Sequence, residues 1–152
     1  NGLFAGLINA ANDGKKILGI CLGLQLFFEN GNEGGANNGL GLLKGKTIPL
    51  RDYCDFDSGY KIPIMGWHNV SWKPREVETN FSKIINSISK EKMYFAHSYG
   101  VVPEDNKVEI GVLNYFNSPI TVAVKNDNIF GVQFHPEKSG KFGLEILKAF
   151  VS

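Results

Sequence analysis

Two short segments carry the residue types that nucleophilic catalysis needs. Gly19-Ile20-Cys21-Leu22-Gly23 has the glycine, x, nucleophile, x, glycine form of a nucleophile elbow, with a thiol where many hydrolases carry a hydroxyl. The flanking glycines are expected to let the chain turn abruptly from strand to helix, leaving the Cys21 side chain projecting above the sheet from a strained backbone. A helix starting directly after Cys21 favours thiolate over thiol, and the N–H groups of Leu22 and Gly23 then lie where an oxyanion would form. Against this stands a plain buried cysteine at a glycine-flanked strand end, and the pentapeptide alone weighs the two about evenly.

The second segment, Phe134-His135-Pro136-Glu137, follows an apolar run that reads as a strand. In extended backbone, residues two apart point to the same side, so the Glu137 carboxylate is expected to reach the His135 ring, with Pro136 stiffening the link. A carboxylate on one ring nitrogen fixes the tautomer and leaves the other to take a proton from Cys21. Elbow and base lie near opposite ends of the chain, so their meeting has to come from the fold.

Other constellations are weaker. Cys21, Cys54, His97 and His135 offer metal-ligand types, but no pair stands at the close spacing of zinc ligands. The glycine-rich stretch Gly31 to Gly41 lacks the G-K-[ST] ending of a phosphate cradle and follows a helix instead of preceding one, so it reads as a loop. Gln25 and Glu29, four apart in an apolar segment, share a helical face one turn after Cys21 and could bind a polar substrate, or simply satisfy backbone and solvent. His97-Ser98-Tyr99 ends an apolar strand, and alternation points only His97 and Tyr99 to one face.

The elements that must hold these residues follow from periodicity. Leu3, Phe4, Leu7, Ile8 and Ala11 recur at helical spacing before Asp13-Gly14, which predicts an opening amphipathic helix; with no strand or Met ahead of it, an N-terminal segment is expected to be missing. Ile17 to Ile20 predicts a strand buried on both faces, and Leu22 to Glu29 a short apolar helix. Short segments follow at Thr47 to Leu50, Gly66 to Trp72, Met93 to Val101, Val108 to Leu113, Ile120 to Val124 and Ile129 to Phe134, all read as strands. Phe81 to Ile88 is a candidate surface helix, and Phe142, Ile146, Leu147 and Phe150 line one face of a closing helix. Together they predict an α/β fold with an open mixed, largely parallel sheet flanked by helices and the site at the carboxyl ends of strands.

Composition narrows the function classes. With 152 residues, 43% of them hydrophobic, residues 1–152 fit a single domain. Sixteen Lys and Arg against fifteen Asp and Glu give a net charge of +1, which supplies neither a basic field for nucleic acid nor a polybasic membrane patch. The most apolar stretch, Ile17 to Phe28, is too short and too interrupted to cross a membrane. With no secretory signal the expected compartment is the cytoplasm, where Cys21 and Cys54 remain thiols.

Taken together, Gly19 to Gln25 and His135-Pro136-Glu137 resemble the class I, or triad-type, glutamine amidotransferases. Within that family the likeness is to glutaminase subunits that supply ammonia to a synthase making imidazole glycerol phosphate in histidine biosynthesis. Lys16 to Gly23, Glu33-Gly34-Gly35, Gly39 to Leu42, Pro63 with Met65-Gly66-Trp67, Tyr94-Phe95, His97-Ser98-Tyr99 and His135 to Gly140 carry it. The resemblance implies a flavodoxin-like fold, a Cys21–His135–Glu137 triad that hydrolyses glutamine through a thioester, and no metal or organic cofactor. It also implies substrate binding by Gln25, His97, Ser98 and Tyr99, with Lys138 facing a (β/α)8-barrel partner in a heterodimer.

The chain departs from that pattern in two respects. The family's further N-terminal strands and its Pro-Gly-x-Gly loop beside the oxyanion site have no counterpart, so the glutamine pocket is expected to be open on one side. His68 in Trp67-His68-Asn69 stands where an Asn is usual, and Arg51 to Lys61 is not distinctive. A related glutaminase feeding a surface-sugar amidotransferase therefore remains an alternative, as does a non-catalytic interaction subunit. A thiol hydrolase of the α/β-hydrolase type fits less well, because its acid precedes its histidine in the chain.

Overall fold

A computed structural model describes residues 2–31, 37–53, 61–73, 80–87 and 90–152. Glu33-Gly34-Gly35, Cys54 and most of Arg51 to Lys61 lie outside the described residues. The chain opens with α1 (Gly2–Asn12), whose Phe4, Leu7, Ile8 and Ala11 pack on Leu24, Phe28, Val124 and Ile129. Gly14 takes the left-handed conformation, φ 76°, that ends the helix, and the Asn128 side chain donates to the carbonyls of Ala11 and Lys15 at 2.9 and 2.8 Å. The first helix is thereby tied to a turn more than a hundred residues away.

Next come β1 (Ile17–Ile20), α2 (Leu22–Leu26), β2 (Phe28–Gly31), β3 (Asn37–Asn38), β4 (Leu43–Pro49), β5 (Ile64–Asn69), β6 (Ser71–Trp72) and α3 (Asn80–Ser87). The remainder is β7 (Lys92–His97), β8 (Tyr99–Pro103), β9 (Glu109–Tyr115), β10 (Ser118–Asn126), β11 (Ile129–Val132) and α4 (Gly140–Val151). The large sheet runs β1-β11-β10-β8-β4-β2-β3, with β9 joined to β10 and β6, while β5 and β7 form a separate pair.

The sheet is open and mixed, but among the described residues only β1/β11 and β2/β4 pair in parallel. The expectation of a largely parallel sheet is corrected by connection length. Two-residue links join β9 to β10 through Phe116-Asn117 and β10 to β11 through Asp127-Asn128, and links that short permit only antiparallel neighbours. Phe116, Asn117 and Asp127 adopt positive φ, as tight hairpins require, without a glycine to announce them. Register shifts near Thr121 and Ala123 interrupt the β9/β10 ladder, and β10 pairs with β8 at Thr121 and with β11 from Ala123 to Asn126.

Three further expectations are revised. β1 lies at the sheet margin and is mostly half-buried, not buried on both faces. The helix after Cys21 ends at Leu26, and Glu29 falls in β2. Part of the glycine-rich stretch is a strand, β3, paired with Asn30 and Gly31. The expected helices at both ends and near residue 81 are present, although Ile88 itself is outside the described residues.

The core lies beneath the site. Met93, Phe95, Ile120, Val122 and Phe134 are buried with Ile146 and Ala149 of α4, and Phe130 meets Phe150 edge-on at 5.5 Å. Burying side chains of this size contributes about 1.5–3 kcal/mol each. No described helix is long and apolar enough to cross a membrane.

Candidate active site

The elbow is built as a close approach of strand and helix. A Cβ on Gly19 would meet the Gly23 carbonyl carbon at 2.6 Å and the Leu24 nitrogen at 2.7 Å, so only glycine fits there. Gly23 has open space where its Cβ would be and no positive φ, so the sharp turn is not made by the flanking glycines. It is made by Cys21 itself, at φ 52° and ψ −107°, a conformation that costs a non-glycine residue roughly 1–3 kcal/mol. The Cys21 N–H donates to the Val132 carbonyl at 2.8 Å, fastening the strained residue to β11. Leu22 and Gly23 occupy the first turn of α2, where backbone N–H groups lack intrahelical acceptors.

β11 brings His135 to the same sheet end. Parallel register aligns Ile20 with Val132, so Cys21 and His135 both extend beyond the carboxyl ends of neighbouring strands. His135 Nδ1 and Glu137 Oε1 are 2.7 Å apart, which makes Nδ1 the protonated nitrogen and Nε2 the one carrying the lone pair. Their pairing is as expected, but the stated reason is not: β11 ends at Val132, and Pro136–Lys138 form a 3₁₀ turn that brings the carboxylate round. The His135 N–H donates to Tyr94 O at 2.9 Å. Buried Ser139 completes the clamp, accepting from Tyr94 N–H at 3.0 Å and donating to His135 O at 2.6 Å.

A cavity of about 350 Å³ opens beside the elbow, lined by Cys21, Leu22, Gln25, Pro63, Met65, Ala96, His97, Ser98 and Tyr99. The cavity thus gathers every expected substrate-binding residue beside Cys21; Gly23, His135, Glu137 and Lys138 are not part of its lining. Residues 97–99 do not form one continuous strand. The chain leaves the β5/β7 pair at His97 and enters the large sheet at Tyr99, so alternation does not carry across Ser98.

The floor of this cavity has hydrogen-bonding capacity to spare. Gln25 donates from Nε2 to Tyr99 O at 3.3 Å and to Gln133 Oε1 at 3.2 Å, while its own Oε1 is buried without a partner. His97 donates from Nδ1 to the same Tyr99 carbonyl at 2.7 Å. Burial pushes its pKa down to about 4, against the pull of the Tyr99 bond, with His68 and His135 lowering it further. The ring is therefore neutral near pH 7, and Nε2 is a buried acceptor with no partner. Both buried acceptors thus belong to residues that line the cavity.

Other candidates sit apart. Glu29 Oε2 accepts from Gly45 N–H at 3.4 Å and does not line the cavity. His68 is half-buried, its ring edge-on to Phe95 and Tyr115 at 5.9 and 5.8 Å. Lys138 is exposed. Among the described residues no group of three or more His, Cys, Asp or Glu is arranged to hold a metal ion.

Sequence reasoning missed two features. Gln133 is fully buried, with Nε2 donating to Cys21 Sγ at 3.5 Å; an amide two residues before His135 in an apolar strand was the available signal. Met65 and Trp67, 63% and 49% exposed, form an apolar strip leading away from the cavity, with Trp67 edge-on to Tyr94 at 5.9 Å. The expected strand, Gly66 to Trp72, starts after Met65, whereas the observed one starts at Ile64 and leaves Met65 and Trp67 on an uncovered face.

Comparison with known proteins accords with this geometry. Among solved structures, a glutamine amidotransferase superposes with a TM-score of 0.64 at 13% identity, over 99% of this chain and 69% of that one. A Thermoplasma acidophilum chain gives 0.63 at 17%, over 97% and 62%; at these identities the likeness concerns the fold. Curated relatives are nearer. Imidazole glycerol phosphate synthase subunit HisH from Geobacillus sp. strain WCH70 is 36% identical over 151 residues, 99% of this chain and 68% of the relative. The same subunit from Geobacillus thermodenitrificans is 38% identical, over 94% and 64%, and that from Pyrococcus furiosus 40%, over 95% and 68%. The chain spans about two thirds of the length of these relatives. The model of the family described as glutamine amidotransferase class-I matches residues 4–152, and the chain belongs to that family.

Proposed function

We propose that residues 1–152 form a single glutaminase domain that releases ammonia from glutamine and passes it to a (β/α)8-barrel synthase subunit making imidazole glycerol phosphate, in the cytoplasm. The observation that carries this reading is the strained Cys21 elbow at the end of the strand next to the one leading to the His135–Glu137 pair.

The chemistry follows from those groups. His135 Nε2 takes the Cys21 proton, and the thiolate attacks the side-chain amide carbon of glutamine. The N–H groups of Leu22 and Gly23 receive the oxyanion, His135 returns its proton to the departing nitrogen, and ammonia leaves a thioester. Water, deprotonated by His135, then releases glutamate and restores the thiol. Glu137 holds the imidazole and balances its charge. Gln25, His97, Ser98 and Tyr99, which line the cavity beside Cys21, hold the substrate. No cofactor enters these steps.

The partner is placed on the Met65–Trp67 strip and Lys138. An exposed Trp two residues after cavity-lining Met65 is the kind of anchor that dominates interfaces, and a seated partner keeps ammonia from being lost to solvent.

The test is ammonia release from glutamine by the full-length protein, with and without the barrel subunit and its nucleotide ligand. Activity that rises with the partner and vanishes in Cys21→Ala supports the reading. Activity indifferent to that barrel moves the protein to another acceptor, such as a surface-sugar amidotransferase, and no activity under any condition favours a non-catalytic subunit.

A further inference from the structure

We propose that Gln133 is a positioning residue that stabilises the Cys21 thiolate as it forms and locks the substrate-binding amide of Gln25 to it; this rests on Cys21 being the nucleophile. The Gln133 side chain is fully buried and both ends of its amide are used within the site. Nε2 donates to Cys21 Sγ at 3.5 Å, and Oε1 accepts from Gln25 Nε2 at 3.2 Å. Its backbone N–H donates to Val122 O at 2.8 Å, so the residue cannot swing away without breaking the sheet.

An amide in that position does two things that an apolar side chain of the same size does not. A donor aimed at sulfur stabilises the charged form and lowers the thiol pKa. Because the opposite end of the same amide grips Gln25, the distance between nucleophile and substrate-binding group is fixed through one rigid plane. Gln25 is held again by Tyr99 O, so the chain of contacts runs from Cys21 through two amides to the start of β8. Packing alone asks only for volume at position 133.

The discriminating readout is the pH dependence of iodoacetamide alkylation at Cys21, followed by peptide mapping because Cys54 is a second thiol. Gln133→Met keeps the length and removes the donor; Gln133→Glu keeps an acceptor for Gln25 and puts a negative charge near sulfur. Both are expected to raise the alkylation midpoint by about one pH unit or more, with the larger shift in Gln133→Glu. The Gln133 side-chain NH₂ resonances of the wild-type protein should also titrate with the Cys21 midpoint and cease to do so in Cys21→Ala, a test that needs no variant at position 133. An unchanged midpoint in either folded variant, or NH₂ resonances indifferent to Cys21, overturns the proposal. A Cys21→Ala protein that still hydrolyses glutamine overturns Cys21 as the nucleophile instead, and the alkylation and resonance results then judge the Gln133 contact separately.

Discussion

Gly19 lies so close beneath the first turn of α2 that a Cβ there would stand 2.6 Å from the carbonyl carbon of Gly23. Neither neighbour is the flexible end of a side chain, so strand and helix would have to separate. Gly19→Ala is expected to cost about 1–3 kcal/mol and to displace Cys21 from the cavity. Urea unfolding gives the first quantity and the alkylation rate at Cys21 the second. Gly23→Ala, with open space around its Cβ position, is the control and should change stability far less.

On the proposed mechanism, His135→Ala removes the proton carrier and Glu137→Gln only weakens its orientation. The Glu137 side chain is about half exposed, and a glutamine oxygen can still accept the Nδ1–H bond. Losses of about 10³-fold or more for His135→Ala and about 10- to 100-fold for Glu137→Gln are expected. Saturating-substrate rates of ammonia release with the partner present test this, and equal residual rates would count against an orienting role for Glu137.

How much of this was legible in the sequence depends on how local each cause is. Helical spacing from Leu3 to Ala11 and from Phe142 to Phe150 foretold α1 and α4, and the apolar run Ile17 to Ile20 foretold β1. The motif pairing of His135 with Glu137 was correct while its geometry was not, because Pro136 starts a 3₁₀ turn that alternation along a strand does not describe. Antiparallel pairing around β10 rested on hairpins turned by Phe116-Asn117 and by Asp127, whose positive φ values carry no glycine signal. The roles of Gln133 and Trp67 are non-local: one depends on which strand lies beside β11, the other on which face of the β5/β7 pair is left uncovered. Spacing along one chain contains neither fact.

Ser139 links the His135–Glu137 turn to β7 through two hydrogen bonds made by a single hydroxyl. Ser139→Ala leaves the half-buried Tyr94 N–H without its acceptor, at a cost of about 1 kcal/mol. His135 also loses the bond to its carbonyl, so activity is expected to fall further than stability alone explains. Comparing the unfolding midpoint with kcat under conditions where the variant is fully folded separates the two effects.

His97 predicts a pH dependence of stability with a definite sign. Its pKa is pushed down from 6.5 to about 4 in the folded chain, so between those values the unfolded chain binds the extra proton and the folded one does not. Stability from keeping the ring neutral is fully present above pH 6.5, declines as pH falls, and has been lost below about 4. The window corresponds to roughly 3 kcal/mol. His97→Phe removes the titration, and the difference in unfolding free energy between wild type and variant should shrink or reverse from pH 7 to pH 4. A difference that stays constant across that range would show that His97 titrates normally in the fold.

Trp67 offers a test of partner docking that is separable from catalysis. Its side chain is half exposed, touches Tyr94 edge-on and does not line the cavity. Truncating an aromatic anchor at the centre of an interface typically weakens binding by about 2 kcal/mol or more, equivalent to roughly thirtyfold in Kd. Loss of a half-exposed ring from a two-stranded pair should cost the fold much less. Trp67→Ala is therefore expected to bind the barrel subunit at least tenfold more weakly in calorimetry while its thermal midpoint and its partner-independent reactivity at Cys21 stay near wild type. Lys138→Ala, which removes an exposed charge, should lower the association rate and its salt sensitivity more than the dissociation rate. If both variants bind as the wild type does, the partner sits on another face, and the apolar strip beside the cavity needs a different occupant.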